Sequence, residues 1–258
     1  MDIAIIGSGN LATNIGKAFL ASGHNIIQVF SRTEDHARDL AQTLAASHTS
    51  CIDDISCDAD VYVISVKDSA MGEVIEKMCI GRESKVFLHT AGSVGIDIFS
   101  SHALHYGVLY PMQTFSKTRE VDFKKIPVFI EWNDAIAEQT IKTLASSISD
   151  KITVLSSSDR KFLHLAAVFG CNFANHCFTL AADIMEGHGM NFEMLLPLID
   201  ETVAKLHTLH PKEAQTGPAV RYGENVIARQ CQLLDDTPIM KDIYTLMSNS
   251  IHNKATKG

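Results

Sequence analysis

The chain has 258 residues, 46% of them hydrophobic, which is enough to bury a sizeable core without disulfides or metals. Acidic residues outnumber basic ones 30 to 22, giving a formal charge of -8. That balance excludes a surface built to neutralise a nucleic-acid backbone. Six cysteines with no C-x-x-C pair predict reduced, buried thiols in a cytoplasmic protein. No export leader is expected, and no membrane span, because no run of about 18 apolar residues lacks a polar break.

In chain order, residues 2–6 form an apolar strand run that meets Gly7-Ser8-Gly9-Asn10. Leu11, Ile15, Ala18 and Phe19 then recur at helical spacing up to Gly23. A second strand is predicted over 25–30. A third is split between a weak segment near Cys51-Ile52 and a strong one over 60–66. A helix over 69–78 follows, with strands over 85–89, 107–110 and 127–131. Strands and helices taking turns over about 150 residues predict a parallel, doubly wound α/β sheet of Rossmann type. After the run 152–155 the character changes: Ser156-Ser157-Ser158-Asp159 is an N-cap cluster, and nearly everything beyond it reads helical. The expected division is 1–155 for the nucleotide-binding domain and 156–258 for an all-helical substrate and dimerisation domain.

A long central helix is predicted from Asp159 to about Glu186. It is apolar nearly all the way round, so protein is expected to surround it: other helices and the second subunit of a homodimer.

Gly7-x-Gly9-x-x-Ala12 lies between a strand and a helix, the context in which this pattern binds a dinucleotide. The first glycine permits the tight turn, the second lets backbone approach a pyrophosphate, and Ala12 lets helix and strand pack closely. Ser8, Asn10 and Leu11 belong to the same turn. The second strand ends in Ser31-Arg32-Thr33, two hydroxyls and a guanidinium suited to the 2′-phosphate of NADP. The alternative is that Glu34 or Asp35 faces the ribose. Ligands in open α/β sheets lie at the carboxyl ends of the strands, which adds Ser65, Val66 and Lys67, and Thr90, Ala91 and Gly92, to the cofactor wall.

With these residues in place the sequence resembles the 6-phosphogluconate dehydrogenase-like superfamily, which joins a Rossmann domain to a helical domain entered by one long helix. The start, Ile5 to Ala12, is similar to pyrroline-5-carboxylate reductases and deazaflavin-dependent NADP reductases. Thr90-Ala91-Gly92-Ser93, Tyr110-Pro111-Met112-Gln113-Thr114-Phe115, Asn172 and Thr216-Gly217-Pro218-Ala219-Val220-Arg221 resemble a family of Rossmann-like proteins with an uncharacterised C-terminal domain, labelled NADP oxidoreductases. The resemblance spans the chain and implies NADP as cofactor, without specifying a substrate.

Reduction of a carbonyl or imine by NADPH needs a proton donor beside the atom that gains charge. On the long helix Lys161, His164, Asn172 and His176 fall near one stripe at 100° per residue. The 6-phosphogluconate dehydrogenase helix carries Lys-x-x-His-Asn, with the lysine as acid/base. Here Lys161 and His164 keep that spacing, but Leu165 replaces the asparagine, and Lys161 also reads as a solvated surface lysine. His164 titrates nearer neutrality, although a core histidine with a satisfied hydrogen bond has the same signature. Asn172 and Asn175 are amides in an apolar helix and need partners there. Asn172 is a candidate to hold a substrate carbonyl or the nicotinamide carboxamide. Arg221 reads equally as an anion clamp or as a helix cap.

His102-x-x-His105 and His207-x-x-His210 lack further ligands, and no G-x-S-x-G elbow occurs, so neither a metal site nor a serine hydrolase is expected. The resulting expectation is an NADP-dependent oxidoreductase acting on a small carbonyl or imine substrate. The alternative is a dinucleotide-binding protein without catalysis, serving redox sensing or assembly.

Overall fold

Residues 1–256 are described by a computed structural model. The elements of its first part are β1 (Asp2–Ile6), α1 (Asn10–Ala21), β2 (Asn25–Phe30), α2 (Glu34–Leu44), β3 (Ser47–Thr49), β4 (Val61–Ile64), α3 (Asp68–Met78), β5 (Val86–His89), β6 (His105–Pro111), β7 (Pro127–Trp132), α4 (Ala135–Ile148), β8 (Lys151–Val154) and α5 (Ser157–Ala167). A π-turn, Val168–Phe173, leads on to α6 (Ala174–Gly187), α7 (Leu196–Lys205), α8 (Pro211–Ala214), α9 (Glu224–Gln232) and α10 (Pro238–Thr256). By contacts the chain forms two compact units, Met1–Cys171 and the helical remainder from Asn172.

In the first unit eight strands form one sheet in the order β3-β2-β1-β4-β5-β6-β7-β8. Both faces are covered, which explains the unbroken apolar runs. Ile3, Ile5, Val61 and Val63 pack with Ile15 and Phe19 of α1 and Leu144 of α4. Ala4, Ile6, Tyr62 and Ile64 point the opposite way, onto Met71 and Ile75 of α3. Along each of these strands, alternate residues serve opposite cores.

Two details depart from the expected pattern. β7 is antiparallel to β6, and β8, reached through α4, is parallel to β7. No crossover helix separates β6 from β7, so the chain turns back on itself; a parallel neighbour would have needed one. The weak strand lies at Ser47–Thr49, ahead of Cys51-Ile52. There Thr49 Oγ1 accepts from the Cys51 amide, a local turn that ends pairing.

The long helix runs Ser157–Gly187 and is the one helix among the described residues long and apolar enough, by length and composition, to cross a membrane. It is not enclosed by its own chain: Phe162 is 74% exposed, and Leu165 and Ile184 are exposed too. Asn172 and Asn175, predicted to need partners in an apolar interior, are exposed and open to solvent. In the second unit Leu233 and Ile239 stand 84% and 77% exposed. The cysteines also differ from expectation. All six are free, but only Cys79 is buried, because Cys51 and Cys57 fall on surface loops and Cys171 on the uncovered helix.

Candidate active site

Four parallel strands, β2, β1, β4 and β5, end in a row, and each hands its last hydrogen bonds to a neighbour. Gly7 N–H donates to the Phe30 carbonyl, Ser65 N–H to Ile6 and Thr90 N–H to Ile64. The loops that follow enclose a cavity of about 600 Å³. Every residue assigned to the cofactor from sequence lines it, from Gly7-Ser8-Gly9-Asn10-Leu11 and Ser31-Arg32-Thr33 to Ser65-Val66-Lys67 and Thr90-Ala91-Gly92.

The Gly-rich turn fits a pyrophosphate. Gly7 has φ +122°, and a Cβ there would lie 2.2 Å from the Ser65 carbonyl oxygen, so only glycine closes this turn. A Cβ on Gly9 would meet nothing within 4 Å, which leaves open space in front of the turn. α1 starts with no side-chain cap and no acidic residue in its first turn, so its amide end is left for an anion. Ser8 Oγ donates to Ser31 Oγ at 2.9 Å and ties the turn to the end of β2.

Not every side chain in the wall is available. Asn10 Nδ2 donates to the Phe115 carbonyl at 3.0 Å, and Thr90 Oγ1 turns back to the Ile64 carbonyl. Both side chains are thus partnered within the chain.

Beyond β2 the basic and acidic candidates for the ribose end separate. Glu34 pairs with His48 Nε2 at 2.9 Å and Asp35 with Arg38 at 2.5 Å, and neither lines the cavity. Arg32, Thr33 and His36 do line it. His36 was not signalled by the sequence. It lies in the first turn of α2, four residues after Arg32, which precedes the helix.

At the opposite end of the cavity stand Ala91, Gly92, Tyr110 and His164. Tyr110 Oη and His164 Nδ1 are 3.0 Å apart, with the rings edge to face. A Cβ on Gly92 would come within 2.6 Å of His164 Nδ1 and 2.9 Å of Tyr110 Cζ, so the bare backbone here is what admits the pair. Burial pushes the Tyr110 phenol up, keeping it protonated through the neutral range. Tyr110 carried no role in the sequence reading. Its position at the carboxyl end of a strand was the available signal.

The other two helix candidates are not brought here. Lys161 is exposed and outside the cavity wall: it shares a face of α5 with His164 but lies one turn nearer the start of the helix, and the wall ends at His164. Asn172 lies in the second unit and is exposed, as are His176 and Arg221. The stripe assumed 100° per residue throughout, and the π-turn Val168–Phe173 breaks that regularity between His164 and Asn172.

α5 is anchored by a buried ion pair. Arg160, its side chain 1% exposed, donates from Nη1 to Glu131 Oε2 at 2.6 Å and from Nη2 to the Val94 carbonyl at 2.6 Å. Ser157 gives Glu131 both its amide and its hydroxyl. One carboxylate on β7 therefore holds the first turn of α5 and, through Arg160, the loop after β5.

His89, at the end of β5 beneath that loop, is fully buried. Burial, and then the Arg160 guanidinium, lower its pKa from 6.5 to about 4. Between those two values the unfolded chain takes up a proton that the folded chain refuses, so stability falls as pH drops through this window and is unaffected above it. The share is on the order of 3 kcal/mol at full development. His89→Asn keeps an acceptor for the Ala91 amide and removes the titration. Urea melts at about pH 7 and about pH 4.5 are expected to show wild type losing about 2 kcal/mol more than the variant. Equal losses would contradict the assignment.

Comparison with known proteins accords with this geometry. A family model described as "NADP oxidoreductase coenzyme F420-dependent" matches residues 2–90. One described as a domain of unknown function, DUF2520, matches residues 126–251. Among solved structures, a protein of Bacteroides fragilis provisionally named an NADP oxidoreductase is 49% identical, with 98% of each chain covered and a TM-score of 0.94. The chain belongs to this NADP oxidoreductase family. Two further structures share its fold: an imine reductase from Myxococcus stipitatus in complex with NADP+ (16% identity, 100% of this chain and 95% of the other, TM-score 0.73) and a 1-pyrroline-5-carboxylate reductase from Streptococcus pyogenes (14%, 98% of each, TM-score 0.66). A search of the curated proteins finds no match.

Proposed function

We propose that this oxidoreductase reduces a small carbonyl or imine compound with NADPH in the cavity at the ends of β1, β2, β4 and β5. The observation that carries the reading is the cavity's two-ended character. One end offers an uncapped helix terminus with Ser31, Arg32 and Thr33. The other offers a neutral phenol hydroxyl paired with the His164 imidazole. A phosphate-rich dinucleotide suits the first end, and a reacting C=O or C=N group the second.

NADPH, when bound, supplies the hydride. The chain's own residues do the rest. Gly7 and Gly9 would let backbone amides approach the pyrophosphate, Arg32 and Thr33 would hold the 2′-phosphate, and the Thr90–Gly92 loop would line the nicotinamide end. The Tyr110–His164 pair stands where charge develops. Screening the full-length protein for NADPH oxidation against a panel of ketones, aldehydes and cyclic imines tests the reading. Turnover of a panel member supports it. NADPH binding without turnover across the panel returns the chain to the class of non-catalytic dinucleotide-binding proteins.

The same reading places the enzyme in the cytoplasm as a homodimer. Three exposed free cysteines suit a reducing compartment. Phe162 and Leu165 on the long helix, with Leu198, Leu233, Ile239 and Leu246 in the second unit, leave more apolar surface open than a monomer in water keeps. Asn172, Asn175 and His176 in mid-helix disfavour lipid as the cover, since each would lose its hydrogen bonds to water. Light scattering at micromolar concentration is expected to give twice the mass of the 28.2 kDa chain; a monomeric mass refutes the dimer.

A further inference from the structure

Resting on the reductase reading above, we propose that Tyr110 is the catalytic residue that hands the proton to the substrate, and that His164 is the positioning residue that orients the phenol and restores its proton. Tyr110 stands on a strand, packed against the Phe129 ring at 6.3 Å between centroids and only 8% exposed, so its hydroxyl is held more firmly than a loop side chain would be. It lines the cavity at the carboxyl end of β6, next to the loop after β5.

The 3.0 Å separation of Oη and Nδ1 leaves room for one hydrogen between them. When His164 supplies that hydrogen from Nδ1, the phenol keeps its own O–H for a ligand. The reverse arrangement would spend the phenol's hydrogen on the imidazole. Gly92 matters here as well, because any side chain at that position would drive the two rings apart.

The step balances as follows for a neutral imine. Hydride addition at carbon moves the C=N π pair onto nitrogen. The nitrogen takes the hydrogen of Tyr110 Oη, so an O–H bond breaks and an N–H bond forms. The phenolate then takes the Nδ1 hydrogen of the His164 imidazole, which picks up a proton from water at Nε2 and stays neutral overall. One hydride and one proton have been consumed, and the cofactor leaves as NADP+.

A substrate that needs no proton separates this role from a structural one. Wild type and Tyr110→Phe are compared on 2-methyl-1-pyrroline, in buffer basic enough to keep it neutral, and on its N-methylated iminium salt, whose reduction takes hydride alone. The variant is expected to lose about 10²–10⁴-fold in kcat on the imine and less than about fivefold on the iminium. Its NADPH affinity by fluorescence titration is expected to stay at the wild-type level. Independently of turnover, the ¹⁵Nδ1 resonance of His164 is expected to shift in Tyr110→Phe as its hydrogen bond is lost.

Equal losses on both probes, or full activity of the variant on the imine, overturn the proposal. An unmoved His164 resonance overturns the pairing on which it stands. If wild type reduces neither probe nor any carbonyl in the panel, the reductase reading itself falls and takes this inference with it.

Discussion

Glu131→Ala is expected to destabilise the protein by about 3–5 kcal/mol, the range for leaving a buried charge without its partner. Arg160 has almost no access to water, and its guanidinium would keep only the Val94 carbonyl and the Ser157 hydroxyl. Ser157 would lose acceptors for both its amide and its hydroxyl at the start of α5. Glu131 retains some solvent access, 18% of its side chain, which places the expected loss toward the lower end. Glu131→Gln keeps acceptor geometry without the charge and is expected to lose less.

The informative control is the double substitution Glu131→Leu with Arg160→Met. It removes both charges and is expected to recover much of the loss, because the penalty belongs to the orphaned cation more than to the missing attraction. Urea denaturation of the three variants and wild type measures this. A loss below about 1 kcal/mol for Glu131→Ala would mean that water reaches Arg160 and the anchor is weaker than its geometry.

Arg32→Ala is expected to weaken NADPH binding about 10- to 100-fold and to leave NADH binding unchanged, the effect of losing charge-assisted hydrogen bonds to one phosphate. The selectivity of the effect follows from its surroundings. Glu34 and Asp35, the residues that would hold a ribose hydroxyl and repel a phosphate, are committed to His48 and Arg38 outside the cavity wall. Fluorescence titration with both cofactors measures the ratio. A parallel loss for NADPH and NADH would show Arg32 acting on a phosphate common to both, and no loss for either would remove it from the site.

The cavity wall at the ends of β1, β2, β4 and β5 was legible in the sequence because each part of it is local. The turn at Gly7 needs its backbone conformation whatever surrounds it, and each lining loop directly follows a strand whose apolar run is visible in seven residues or fewer. Ser31-Arg32-Thr33 was legible for the same reason, as the end of β2. Which of Arg32, Glu34 and Asp35 faces the cavity was not, since that depends on where β3 brings His48.

The end of the cavity at Tyr110 and His164 was only half legible. His164 could be named from its helix, but the stripe that joined it to Asn172 assumed a regular helix, and the π-turn at Val168–Phe173 is a departure that periodicity does not encode. Tyr110 was present as part of a motif, without a role, because nothing near it in the chain gives it one. Its partner lies 54 residues away, and the two meet only when β6 takes its place beside β5, Gly92 leaves the space, and Glu131 fixes α5 through Arg160.

The antiparallel β7 follows the same logic, for hydropathy gives a strand its burial but not its direction. The sequence by itself thus determined the family of fold and the residues that line the strand-end wall of the cavity, which depend on backbone conformation and on neighbours in the chain. Only the tertiary structure brought Tyr110 and His164 together at the other end, because a hydrogen bond between two side chains on different elements is set by register and packing, which no local pattern records.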